Sequence, residues 1–106
     1  MIHFRRTQQI SPGRQADAVA RAHEWMAIFK EATGIQGHVS VVTNGTLGRL
    51  CVSADFESMG AREAIDAKGF GSPKGLALLA KANQEERDGT FLFVPGSIHD
   101  EFWRYS

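Results

Sequence analysis

Four histidines, His3, His23, His38 and His99, are the side chains of this 106-residue chain best suited to moving a proton, because imidazole titrates near neutral pH. A structural zinc site wants ligands at close, regular spacing. No two of these histidines are close, and Cys51 is the only cysteine, so no metal site is expected. His99 and Glu101 would share a face of an extended strand, but two ligands make a poor set, and a solvated polar stretch explains them as well.

His3 and His38 fall in alternating stretches together with Arg5, Arg49, Cys51, Ser53 and Asp55. If those stretches pair in one sheet, a polar cluster forms on one of its faces. Its chemistry would be proton transfer by imidazole, or anion binding by arginine, whose fork matches a carboxylate. The competing reading is a wet interface between two copies, in which Arg5 or Arg49 pairs with Asp55 of either copy. A second location lies among Trp25, Met26, Phe29 and Phe70, which would line an apolar pocket with His23 as its polar member; ligand sites are mostly apolar with a few placed polar groups. A cofactor-free oxygenase or isomerase would need a base beside such a pocket. His23 and His38 are the catalytic candidates, and His3, Arg5, Trp25, Phe29 and Phe70 the substrate-binding ones. The same helical spacing also describes plain core.

Residues 69–75 (GFGSPKG) invite comparison with phosphate loops, since backbone N–H groups ahead of a helix attract anions. The segment follows a helix rather than a strand, and neither the Walker pattern nor the dinucleotide fingerprint fits. It reads as a flexible break, free to act as a lid. No cofactor is expected. Cys51 has no basic or helix-terminal neighbour in sequence and reads as an inert strand thiol.

The elements that must position these residues follow from periodicity. Residues 2–10 alternate as a half-buried strand. Ser11-Pro12 supplies a cap and a first-turn proline for a helix over 12–33, with Ala16, Val19, Ala20, His23, Met26 and Ala27 as its buried stripe and Gly34 as its stop. Strands are predicted over 37–43 and 48–56, joined through Asn44-Gly45, a strong hairpin signal. A short helix over 58–67 is interrupted at 68–71 and restarted by Ser72-Pro73. Gly89 ends it, and residues 89–94 (GTFLFV) read as the fourth strand. After the Pro95-Gly96 turn, the tail carries Ile98, Phe102, Trp103 and Tyr105. So much aromatic surface near a chain end, where termini usually fray, reads as a dimerisation arm.

This order is the split βαβ plan of an α+β, ferredoxin-like fold, βαββαβ, with an antiparallel four-stranded sheet and the helices on one face. Ile2, Phe4, Val39, Leu50, Val52 and Phe56 are expected beneath the helices; His3, Arg5, His38, Cys51, Ser53 and Asp55 are expected on the other face. The length suits one domain over 1–106. Twelve basic and twelve acidic residues cancel, which disfavours nucleic acid or an anionic membrane as partner. No apolar run approaches the roughly 20 residues of a membrane span, and the N-terminus lacks the apolar stretch of a signal peptide. With a single cysteine, a cytoplasmic setting is expected.

The chain resembles the dimeric α/β-barrel proteins, within them the NIPSNAP-like proteins and the antibiotic-biosynthesis monooxygenases. The likeness rests on the opening strand with Ser11-Pro12-Gly13, on Asp55-Phe56-Glu57-Ser58, on the helix with Leu76-Ala77-Leu78-Leu79-Ala80, and on Phe93-Val94-Pro95-Gly96-Ser97. It implies a homodimer whose two sheets close into one barrel, with a cavity for a small apolar, aromatic or polyketide-like molecule. Three functions remain open: a small-molecule-binding dimer, a cofactor-independent monooxygenase or isomerase-type enzyme, and a structural interaction module.

Overall fold

The structure is a computed structural model and describes residues 1–42 and 48–106. Seven elements follow in the order β1 (Ile2–Gln9), α1 (Gln15–Thr33), β2 (His38–Val41), β3 (Arg49–Phe56), α2 (Met59–Gly71), α3 (Pro73–Asp88) and β4 (His99–Arg104). The strands form one antiparallel sheet in the order β2-β3-β1-β4, an α+β, ferredoxin-like arrangement. The Asn44-Gly45 hairpin expected from the sequence falls outside the described residues.

Register decides which residues share a face. Ile2 pairs with Phe56, Phe4 with Ala54 and Val39 with Val52, while His3 pairs with Asp55, Arg5 with Ser53 and His38 with Ser53. Paired residues project to the same side. One face therefore carries the apolar set, and the other the polar set. On the apolar side, Leu50 at 1% exposure meets Ile10, Ala18 and Ala22, with Val19, Val39, Val52 and Phe93 around them.

Four local expectations give way. Ser11-Pro12 does not cap α1: the Ser11 carbonyl closes a turn onto the Arg14 N–H at 3.1 Å, the Ser11 N–H is taken by Leu92, and the helix begins at Gln15. Gly13 allows that turn at φ +76°. The buried side of α1 holds Ala18, Arg21, Ala22 and Ile28, whereas Ala16, Ala20, His23 and Ala27 are exposed. The stripe is offset because Arg21 is drawn inward by Glu85, bidentate at 2.9 Å.

The glycine-rich segment is not a flexible break. α2 runs through Gly69, Phe70 and Gly71, and only Ser72 separates it from α3. Ser72 caps α3 by accepting from the Gly75 N–H at 3.1 Å, with Pro73 in the first turn, as the sequence predicts. Gly69 is buried against the Phe29 ring, which fills the space a β-carbon there would need; one at Gly75 would collide with the Gly69 carbonyl. These glycines serve close approach, not motion, so no lid is formed there.

The fourth strand is not 89–94. Within that segment only Phe93 bridges to the sheet, opposite Ile10. Pro95-Gly96 and Ser97 then turn the chain, with Ser97 donating to Val94 and accepting from the Gln9 N–H. The tail predicted as an arm is β4 itself, antiparallel to β1 from Thr7–His99 to Ile2–Arg104. Its alternation sends Asp100 and Phe102 to the helix side and His99, Glu101 and Trp103 to the open side. On the helix side Arg6 holds Asp100 through two bonds of 2.8 and 2.9 Å. Arg62 of α2 lies 4.7 Å over the Phe102 ring and 5.5 Å over Phe4, so this end of the sheet is covered by cation–π contact.

Candidate functional site

The register that sets His3 opposite Asp55 on the open face also makes their contact. His3 Nδ1 lies 2.7 Å from Asp55 Oδ1. An ionised carboxylate has no proton to give, so Nδ1 carries the hydrogen and, in the neutral ring, Nε2 has the lone pair. Just beyond β4, the Tyr105 hydroxyl donates to the same carboxylate at 3.2 and 3.3 Å. Asp55 thus ties together the ends of three strands. The His3 hydrogen bond chiefly holds the Asp55 carboxyl below the usual carboxylate range; desolvation opposes it, and the weaker effect of the Tyr105 hydrogen bond and the electrostatic pull of His3 and His38 add to the lowering.

A half-open recess of about 350 Å³ lies at this corner, lined by His3, Ile35, Gln36, His38, Ala54, Asp55 and Tyr105. Its polar side has two imidazoles and one carboxylate; Ile35 and Ala54 give it an apolar side. Gln36 is already engaged, accepting from Lys30 and donating to the Gly37 carbonyl. The atoms left for a ligand are the His3 Nε2 and the His38 ring, which form no hydrogen bond among the described residues. Such a site can accept a proton from an O–H or an activated C–H and can hold a second oxygen.

The remaining sequence candidates are distributed elsewhere. Arg5 is exposed on the open face between Ser53 and Glu101 of the neighbouring strands. Arg49 donates to Thr7 at 3.1 Å. Cys51 lies between them, its thiol pushed up by burial against the opposing pull of Arg5, which keeps it protonated and unreactive. Trp25, Phe29 and Phe70 come together, but as a ring cluster with centroids 5.1 to 6.2 Å apart. They fill the α1–α2 contact with one another and do not line the recess. His23 is exposed on α1, away from both the recess and the ring cluster's edge-on contacts. A shallow groove of about 440 Å³ runs between α1 and α3, with Ala27, Ile28, Ala77 and Leu78 between charged walls bridged by Lys74 and Glu31 at 2.9 Å. Among the described residues no group of three or more His, Cys, Asp or Glu side chains is placed to hold a metal ion.

The sequence candidates thus share one place only in part: His3 and His38 meet at the recess, and the others do not. Asp55 belongs to the polar cluster that alternation in residues 2–10 and 48–56 places with His3, whereas Ile35, Gln36, Ala54 and Tyr105 are not among the sequence candidates. Tyr105 became visible only once the tail was recognised as a strand, whose period carries Trp103 and Tyr105 to the face of His3.

Among known proteins, no family model and no curated protein matches the chain. Solved structures do. A NIPSNAP domain protein from Burkholderia xenovorans superposes with a TM-score of 0.77 at 14% identity, over 100% of this chain and 95% of its own. A NIPSNAP family protein from Agrobacterium tumefaciens gives 0.78 at 16% identity, over 99% and 85%. A candidate antibiotic biosynthesis monooxygenase from Deinococcus radiodurans gives 0.68 at 11% identity, over 100% and 93%. The fold is the one the sequence resemblance implies, shared with NIPSNAP-type and monooxygenase-type proteins. At such identities the likeness is one of fold, and function must be argued from the site. Among the described residues no helix is long and apolar enough to cross a membrane.

Proposed function

We propose that the chain forms a homodimer whose open sheet faces meet as an α/β barrel, and that the recess at His3, His38 and Asp55 binds a small, largely apolar or aromatic molecule there. The observation that carries this is the recess: two imidazoles and a carboxylate beside an apolar wall, on the sheet face that the helices leave bare. Trp103 stands on that face with 55% of its surface exposed, apolar area that a second copy would cover. Arg5 and Arg49 share the face with Glu101 and Asp55, so a two-fold contact can set opposite charges against each other. With no net charge, the copies do not repel. A cytoplasmic setting accords with the lone cysteine.

One observation favours an enzymatic variant of this reading. The 2.7 Å contact to Asp55 fixes the His3 tautomer and leaves Nε2 as a base. A substrate with an acidified C–H would lose its proton to Nε2. The carbanion is then reprotonated elsewhere, an isomerisation, or dioxygen is consumed as a substrate methylene becomes a carbonyl and one water is released. The remaining alternative, a structural interaction module, needs no recess.

Light scattering at micromolar protein tests the dimer, and calorimetric titration with polycyclic phenols tests the site. Dimers that bind such a compound, with binding weakened in His3→Ala and His38→Ala, are the expected result. A monomer would remove the barrel, and binding indifferent to both substitutions would remove the site. Turnover without added metal or flavin, lost in His3→Ala, would establish the enzymatic variant; loss in His23→Ala instead would move the chemistry to the helices.

A further inference from the structure

Tyr105 is the only tyrosine in the chain, and it follows the last residue of β4. Its attachments are few and long. The hydroxyl reaches Asp55 at 3.2 and 3.3 Å, the backbone N–H reaches the Met1 carbonyl at 3.4 Å, and the ring tilts toward His3 with 6.1 Å between centroids. The His3–Asp55 bond beneath it is 2.7 Å. Hydrogen bonds weaken as they lengthen, so the tyrosine is the loosest member of the cluster. It is also a wall of the recess.

We propose that Tyr105 is a displaceable strap over the recess, and that its own phenol occupies the position a phenolic ligand takes on binding. This rests on the reading of the recess as the ligand site. The chain shows what that position accepts: one O–H directed at the Asp55 carboxylate, with an aromatic ring tilted toward the His3 imidazole, in a recess that Ile35 and Ala54 also line. A phenol meets each requirement. A carboxylate or phosphate would set its charge against Asp55, and an aliphatic alcohol would lose the ring contact. Exchange of one phenol for another leaves Asp55 with the same number of donors, so its charge remains satisfied. The movement is confined to residues beyond Arg104, because β4 remains paired with β1 up to Arg104.

The test uses the full chain labelled at the tyrosine Cζ, which gives a single carbon signal, and p-cresol as the probe. Tyr105→Ala should bind p-cresol about fivefold or more tightly than the parent chain, read from the amide shifts of His3 and Asp55. Tyr105→Phe, which keeps the ring but cannot hydrogen-bond to Asp55, should fall between the two and guards against an effect of altered folding. In the parent chain the Tyr105 signal should move toward that of free tyrosine as p-cresol saturates. Equal affinity in parent and Tyr105→Ala, absence of binding to Tyr105→Ala at millimolar p-cresol, or a Tyr105 signal unmoved at saturation overturns the strap. Larger phenols that bind the parent without moving that signal would sink the strap and leave the ligand site standing. Larger phenols that fail to bind while p-cresol binds Tyr105→Ala would do the reverse.

Discussion

Breaking the Arg21–Glu85 pair should cost unequal amounts from its two ends. The Arg21 side chain is 7% exposed and that of Glu85 21%, with two contacts of 2.9 Å between them. Glu85→Leu strands a guanidinium that water barely reaches, and breaking a buried pair in this way costs about 3–5 kcal/mol. Because Glu85 keeps a solvent-facing side, the lower end, about 3 kcal/mol, is expected. Arg21→Met fills much of the aliphatic volume and lets Glu85 rehydrate, so about 1–2 kcal/mol is expected. Arg21→Met with Glu85→Leu removes both charges, and apolar replacement of a buried pair is often neutral, so the double variant should lie within about 1 kcal/mol of the parent. For a neutral double variant the coupling is then about 4–5 kcal/mol, and Glu85→Leu alone should lower the thermal midpoint by roughly 12 °C. Urea unfolding of all four proteins, followed by tryptophan fluorescence and compared at equal m-values, measures each quantity. Equal single costs that simply add would refute the claim that Arg21 is held inside by its partner.

Asp55 and Asp100 both bind a proton more weakly in the folded chain, chiefly through their bonds to His3 and Arg6. Their stabilisation is therefore complete above the unfolded carboxyl value of about 3.9 and lost as pH falls below it; Asp100→Asn should flatten the acid limb of stability measured by urea unfolding from pH 6 downward, and an unchanged slope would count against the Arg6 pairing. Gly69→Ala forces the Phe29 ring aside at about 1–3 kcal/mol, against a helix-propensity gain of about 1 kcal/mol, so a net loss is expected; Gly60→Ala, whose β-carbon would meet nothing nearer than 3.8 Å, should be neutral or stabilising by up to about 1 kcal/mol. A loss at Gly60 equal to that at Gly69 would contradict the close-approach reading. Phe102→Leu removes the ring between Arg62 and Phe4 and should cost about 1 kcal/mol, with a cost near zero arguing against the cation–π cover of β4.

The two-residue alternation of 2–10 and 48–56 specifies faces as well as strands, which is why it puts His3, Arg5 and Asp55 together. The helices were legible by their stops, Gly34 and Gly89, and by the Ser72-Pro73 start. Their buried sides were not, because a pattern read from apolar residues cannot anticipate Arg21 turned inward by a carboxylate 64 positions away. Gly69 misleads for a related reason: glycine marks freedom or proximity equally, and only the Phe29 ring decides between them. Residues 89–94 satisfy strand chemistry as well as 99–104 do. What separates them is the Pro95-Gly96 turn, which gives the length of β1 to the later segment. The site was half visible for the same cause, since Tyr105 joins His3 only through that pairing.

The bond from the Tyr105 amide to the Met1 carbonyl brings residues 1 and 105 alongside each other at the sheet's corner. Anything fused ahead of Met1 or behind Ser106, an affinity tag or a neighbouring domain, would emerge at the mouth of the pocket. Fusion proteins should accordingly be compared with cleaved ones before a failed titration is believed.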